Sequence, residues 1–356
     1  MTKSGGVFTR SEFNPILYPD PTHAWESLKV YNPGAIFDDG VFHIFYRAVG
    51  HGEDWHSSIG HAHSTDGERF VRSNKPVLTR EDVTSEFRGL EDPRVVKIDN
   101  TYFMSYAAYD GKNVRLHIAT SNDLVSWEKH ESALPDFRFI REGGSFSRFQ
   151  DGTWTRRREP KGDDERAKSG ALFPEKIDGK YWMLFGEYQV WLASSDDGIH
   201  WRHHEGPFLK ARGEGFFDEI FVEAGPPPIR TTHGWLVLYH GVDSTFTYRL
   251  GYLLLDIQDP SVVLYRSNNC IFEPTADYEV SGFVDVLPGG LKQLETLSVE
   301  AMQRLLPKYD REGVMPRVAF CPAAVVVGDT VRIFYGASDT YVCTATARLA
   351  DILAVV

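Results

Sequence analysis

Residues Asn32–Gly50 read NPGAIFDDGVFHIFYRAVG, and residues Asp92–Asp110 read DPRVVKIDNTYFMSYAAYD. Each stretch is an extended apolar run, a turn of Asp, Asn or Gly, and an aromatic run. The plan returns as ALFPEKIDGKYWMLFGE from Ala171, GPPPIRTTHGWLVLYHG from Gly225 and CPAAVVVGDTVRIFYGAS from Cys321. A third segment of small and apolar residues follows each: IGHAHSTDGERF, LHIATSNDLVSW, VWLASSDDGIHW, YRLGYLLLDIQDP and YVCTATARLADIL. Each repeat therefore predicts strand, turn, strand, loop, strand. The period-2 polarity and the β-branched and aromatic content argue for antiparallel sheets rather than helices. Helical spacing is confined to Glu295–Leu306, with a turn at Glu81–Phe87. Five sheet units without intervening helices predict an all-β chain closed into a five-bladed β-propeller, in which each blade buries its faces on its neighbours. A two-sheet sandwich would explain the strands but not the fivefold return.

The 356 residues are 42% hydrophobic and 13% aromatic, enough for a substantial core. The reading is of one catalytic domain over residues 1–356, with a long polar insertion loop around 141–170, a solvated loop or a lid over a functional rim. A formal net charge of -12 opposes phosphate-backbone binding, so nucleic acid is not an expected partner. No apolar run approaches the ~20 residues of a membrane span, and the first residues lack an apolar signal core. A cytoplasmic protein is expected. Three cysteines without CxxC spacing argue against a disulfide framework or a structural zinc site. His51, His56, His61 and His63 form no compact ligand set, so no metal is expected.

Within the repeats, polar residues recur where strands begin or end. Asn32 aligns with Asp92, and the segments Lys168–Ala171, Glu223–Gly225 and Phe320–Pro322 reach the same rim. Arg47, Glu187, His240 and Asp339 recur at strand ends facing the same channel. Glu91 and Asp92, adjacent in FRGLEDPR, would face that channel together. The plainer reading has them capping a turn before Pro93 and pairing with Arg88 or Arg94. Clustered Asp, Glu, Arg and His among aromatics suit a polyhydroxylated substrate held by charge-assisted hydrogen bonds and ring stacking. Glycoside cleavage needs an acid for the leaving oxygen and a group that attacks the anomeric carbon. A Gly-rich phosphate loop, HExxH and GxSxG are all absent from the sequence.

The ordered motifs NPGAI, IFYRA, GLEDPR, ALFPEKIDGKYWML, SSDDGIHW, AGPPPI, GWLVLYHGV, YRLGYLLLDIQDP and FYGASDT resemble glycoside hydrolase family 130, the β-mannoside phosphorylases and β-mannosidases. The resemblance spans about Asn32 to Leu353 and implies a five-bladed β-propeller working with inversion. It implies Asp92 as catalytic acid, its proton delivered in phosphorylases through a sugar hydroxyl, Arg47 as a glycone ligand and Asp339 as a sugar ligand. Asn32, Glu91 and Arg94 join them as expected substrate-binding residues. Where the phosphorylases hold phosphate, this chain has Lys168-Ser169, Gly186, Phe221, His240 and Tyr248; three of the basic or amide ligands are replaced. Glu187 and Glu223 stand where the anion would sit. A carboxylate there repels phosphate but can deprotonate water.

The expectation placed first is therefore an inverting β-mannosidase acting on short manno-oligosaccharides, with Glu223 or Glu187 as base. Against it stands a structural salt bridge of these glutamates with Lys168 or Arg249. The alternatives are a β-mannoside phosphorylase, using Lys168, His240 and Tyr248 and taking inorganic phosphate as co-substrate, and a non-catalytic sugar-binding propeller. No cofactor is expected. Linkage, aglycone and association into homo-oligomers stay open.

Overall fold

The computed structural model describes residues 6–50, 56–80, 84–110, 113–138, 146–148, 154–156, 166–282 and 315–354. The helical spacing at Glu295–Leu306 and most of the 141–170 insertion lie outside these residues. At the other predicted turn, Thr84–Glu86 is a single 3₁₀ turn.

The strands fall into antiparallel units. Strand β1 (Thr9–Arg10) precedes the first unit, which comprises β2 (Lys29–Asp38), β3 (Val41–Val49), β4 (Ser57–Ser64) and β5 (Val71–Arg72). The second comprises β6 (Gly89–Ile98), β7 (Thr101–Tyr109), β8 (Val114–Ser121) and β9 (Glu128–Ser132). A hairpin, β10 (Phe146–Arg148) with β11 (Trp154–Arg156), lies inside the insertion. The third unit has β12 (Ala171–Leu172), β13 (Tyr181–Phe185), β15 (Trp191–Ser195) and β16 (Arg202–His203). The short β14 (Glu187–Tyr188) leaves that unit and pairs with the fourth. There it joins β17 (Phe221–Ala224), β18 (Ile229–Thr231), β19 (Gly234–Val242), β20 (Tyr248–Leu255) and β21 (Val263–Arg266). The fifth consists of β22 (Ala319–Val327), β23 (Thr330–Ala337) and β24 (Tyr341–Arg348), completed on its outer edge by β1. Each repeat thus carries a short outer strand beyond the three expected.

The alternation along the strands explains where the core sits. In β7, Met104 packs toward the first unit with Phe45 and Ile59, while its neighbour Phe103 packs toward the third with Phe185 and Met183. Successive side chains leave opposite faces of a strand, so one apolar run serves two interfaces. Among the described residues, five apolar clusters are each shared by two units. They join first to second, second to third, third to fourth, fourth to fifth, and fifth back to first, where Phe334 and Val325 meet Ile44 and Ala35. Each fully buried ring or aliphatic chain contributes ~1.5–3 kcal/mol. Arg10 clamps β1 by reaching both carboxylate oxygens of buried Glu279 at 2.8 Å. One cavity of about 350 Å³ takes residues from all five units, among them Ile36, Val96, Pro174, Pro228 and Val325. No described helix is long and apolar enough to cross a membrane.

A proline-linked bulge recurs at the start of three units. Proline cannot donate to a ladder, and register slips between Tyr31 and Gly34, between Glu91 and Arg94, and between Phe320 and Ala323, around Pro33, Pro93 and Pro322. Asn32 and Asp92 occupy the bulges with φ of 47° and 51°. Asn and Asp tolerate this left-handed backbone better than most residues. Gly34 lets the first two units meet: a Cβ there would lie 2.6 Å from the Pro93 carbonyl oxygen.

Candidate active site

The bulges turn Asn32 and Asp92 toward each other. Asn32 Nδ2 donates to Asp92 Oδ1 at 2.8 Å, with Asp92 only 2% exposed. Asn32 Oδ1 is buried without a hydrogen-bond partner among the described residues. Lys168 Nζ lies 3.1 Å from Asp92 Oδ2 and 3.5 Å from Glu223 Oε1. Ser169 Oγ donates to Glu223 Oε1 at 2.5 Å. Arg47 donates to Glu91 at 2.5 Å, approaches Asp92 Oδ1 at 3.7 Å, and lies 5.0 Å from the centre of the Tyr31 ring. Glu187 is the register partner of Glu223 in the β14–β17 pair, and its Oε2 accepts from Arg166 Nη1 at 3.1 Å.

Two acids sharing one lysine have opposite electrostatics. Burial pushes the Asp92 carboxyl upward, but Lys168, Arg47 and the Asn32 amide overcome this and hold it well below the usual carboxylate range. Burial likewise raises Glu223, the Glu187 charge adds to it, and the acid is pushed up to about 7 despite Lys168. Burial works against the Lys168 charge, yet Glu223 and Asp92 keep its ammonium firmly protonated. Asp339 is raised by burial, with Lys29 opposing. Lys29 itself is lowered to about 8 by burial.

The structure thus brings together Asn32, Arg47, Glu91, Asp92, Lys168, Glu187 and Glu223. Tyr248 stands beside them, its ring 5.6 Å from Phe221 and 6.2 Å from His240. Asp339 faces the same charges from the fifth unit. Arg94 and His240 sit deeper. Arg94 donates to the carbonyls of Gly225 and Ala224 at 2.7 and 2.8 Å, bracing the second unit against the fourth. His240 is fully buried, stacked 4.4 Å from Phe320, and its Nε2 accepts the Cys321 N–H at 2.8 Å. Burial and Arg94 lower it to about 3, so it is neutral.

The plainer pairings hold only in part. Glu91 and Asp92 turn to Arg47 and Lys168 rather than to Arg88, and Arg94 reaches only the Asp92 backbone carbonyl, at 3.1 Å. Glu223 does meet Lys168, while Arg249 engages Asp243 and Glu273. Sequence reasoning missed Lys29, Tyr31 and Arg166, and read Ser169 only as a replaced phosphate ligand. A lysine inside the apolar strand start KVYN was the available signal for Lys29, and Tyr31 occupies the repeat position of Glu91. Arg166 was one of several arginines in a polar insertion, with nothing local to set it apart.

Acids interleaved with cations, buried or partly buried and drawn from several units, can hold hydroxyl groups by charge-assisted hydrogen bonds and can give or take protons. Comparison with known proteins narrows this class. A family model described as beta-1,4-mannooligosaccharide phosphorylase matches residues 11–291. The 1,2-beta-oligomannan phosphorylase of Thermoanaerobacter sp. (strain X514) is 34% identical over 347 residues, covering 95% of this chain and 96% of the relative. The β-1,2-mannobiose phosphorylase from Listeria innocua, solved with β-1,2-mannobiose, superposes with a TM-score of 0.74 at 25% identity, covering 98% of each chain. A further solved structure, 26% identical with a TM-score of 0.74 over 97% of this chain and 95% of its own, is described with the statement that the GH130 family of mannoside phosphorylases contains glycoside hydrolases that target β-1,2 mannosidic linkages in Candida mannan. The chain belongs to glycoside hydrolase family 130. It is an enzyme of this glycoside-cleaving family.

Proposed function

We propose that this enzyme cleaves β-mannosidic linkages in short manno-oligosaccharides by phosphorolysis with inversion, releasing α-mannose 1-phosphate. The names of the relatives back phosphate as acceptor better than the water that the sequence expectation put first. The observation that carries the reading in this chain is Lys168, a partly buried ammonium bridging the buried carboxyls of Asp92 and Glu223, with the cation of Arg166 two residues before it. In the reaction a phosphate oxygen attacks the anomeric carbon and the glycosidic C–O bond breaks. A proton originating on Asp92 reaches the leaving oxygen, directly or through a sugar hydroxyl, so the second product is the sugar shortened by one residue. Asp92 is an anion in the sugar-free site. The acid role therefore requires that substrate binding raise it, which happens if the incoming sugar draws Lys168 away.

The architecture we propose is a five-bladed β-propeller forming one catalytic domain. Its support is the five shared cores, the return of β1 to the last unit, and the cavity reached by all five units. The 141–170 insertion is then an excursion between the second and third blades.

Hydrolysis is the second reading, favoured by a specific observation: two glutamates face one another across the β14–β17 pair. Glu223, near neutrality, is suited to accept a proton from water. Lys168 keeps Asp92 Oδ2 and Glu223 Oε1 within about 6.6 Å, the sum of its two contacts. That limit applies to the two lysine-bound oxygens, so it leaves the carboxyl groups room for the ~6.5–9.5 Å spacing of inverting hydrolases. The test is to incubate the purified protein with β-1,2- and β-1,4-mannobiose, with and without inorganic phosphate, and resolve the products. Mannose 1-phosphate formed only with phosphate is expected; equal release of mannose in both conditions would replace phosphorolysis by hydrolysis.

A further inference from the structure

We infer that Arg166 sets how tightly this site holds an anionic acceptor, and that Glu187 competes with that anion for its guanidinium. The inference rests on the reading that phosphate enters beside Glu223. Other described cations nearby have fixed tasks: Arg47 serves Glu91, Arg94 serves backbone carbonyls of the fourth unit, and Lys29 faces Asp339. Arg166 and Lys168 come from one segment, two residues apart, and each meets one glutamate of a cross-strand pair, at 3.1 and 3.5 Å. The result is two cation–carboxylate pairs side by side. A phosphate dianion offers oxygens spaced for the planar guanidinium fork, so it can take the place that the Glu187 carboxylate holds.

The backbone at Glu187 is shaped for this contact. It lies between Gly186, with φ of 114°, and Tyr188, with φ of 72°. A bulky residue in left-handed backbone stores strain that the surroundings must hold. Here it accompanies the departure of β14 from the third unit to the edge of the fourth, which puts Glu187 opposite Glu223. At Gly186 a Cβ would meet the Gln189 carbonyl oxygen at 2.4 Å, so a side chain there would disturb the turn. A device that holds a carboxylate on an arginine makes anion binding competitive with an internal counter-ion. Acceptor affinity then depends on the strength of the Arg166–Glu187 pair.

The experiment uses the full chain and the mannobiose that the wild type cleaves. Phosphate is titrated while mannose and mannose 1-phosphate are separated, and the melting temperature is followed with phosphate alone, without sugar. Arg166→Gln is expected to raise the KM for phosphate about tenfold and to remove the phosphate-induced rise in Tm, while Arg166→Lys keeps part of both. Glu187→Gln is expected to lower that KM about tenfold and to increase the share of mannose 1-phosphate. Circular dichroism confirms that each variant is folded. The inference is overturned if folded Arg166→Gln and Glu187→Gln titrate phosphate as the wild type does. Failure of the underlying reading looks different: the wild type itself would cleave neither mannobiose, or would cleave it with no response to phosphate in rate, product or Tm.

Discussion

Asp92 and Glu223 open the second and fourth units, are 2% and 1% exposed, and share Lys168, yet they differ in charge. Asp92 has Lys168, Arg47 and the Asn32 amide against its burial, and it is held ionised. Glu223 has Lys168 and Ser169, but Glu187 lies opposite, and it is pushed toward neutrality. Burial alone does not set the protonation of a carboxyl. The balance of cations and anions around it does, and that balance places an anion on one side of the site and a proton reservoir on the other.

The sharpest way to break this contrast is to remove the acid. Asp92→Asn should lower turnover of mannobiose by ~10²–10⁴-fold, the usual worth of general acid catalysis, with folding intact by circular dichroism. Unchanged turnover would instead show that Asp92 is not the acid. Next in size is the shared cation. Lys168→Met leaves two buried carboxyls without their ammonium, and urea unfolding should show a loss of ~3–5 kcal/mol, as expected when the partner of a buried carboxylate is removed. Asn32→Ala removes a buried hydrogen bond to an ionised group and should cost ~1.5–3 kcal/mol of stability, read by urea unfolding.

The smallest effect has the most exacting signature. Glu223 sits near 7 in the folded chain against an ordinary 4.5. Between these values the folded state binds more protons than the unfolded one, so this group's contribution falls as pH rises through that window. Glu223→Gln should therefore gain on the order of 1 kcal/mol, or about 2–4 °C in Tm, above pH 7, and nothing below about pH 4.5. Equal Tm differences at pH 4.5 and pH 8 would show that Glu223 is not raised.

Much of the fold could be read along the chain because strand signals are local. The NPGAIFDDGVF and DPRVVKIDNTYF runs became β2–β3 and β6–β7, with turns at Asp39–Gly40 and Asp99–Asn100. The short outer strands were missed because two-residue pieces such as Val71–Arg72 carry no periodicity. For the site, repeat alignment brought Asn32 to Asp92 correctly, since equivalent bulges must meet where equivalent units converge. It could not separate Arg94, whose donors end on carbonyls in the fourth unit, from Arg47, whose guanidinium meets Glu91 and Asp92.

What the sequence determined alone was a set of polar and acidic residues at strand starts, and a family membership legible in nine motifs. What only the tertiary structure decided was which cation meets which acid. Lys168 reaches Asp92 and Glu223 from another part of the chain, and Arg166 finds Glu187 only because β14 crosses to the fourth unit. Coulombic energy depends on distance and surroundings rather than on position along the chain, so the charge state of each acid exists only once the units have packed.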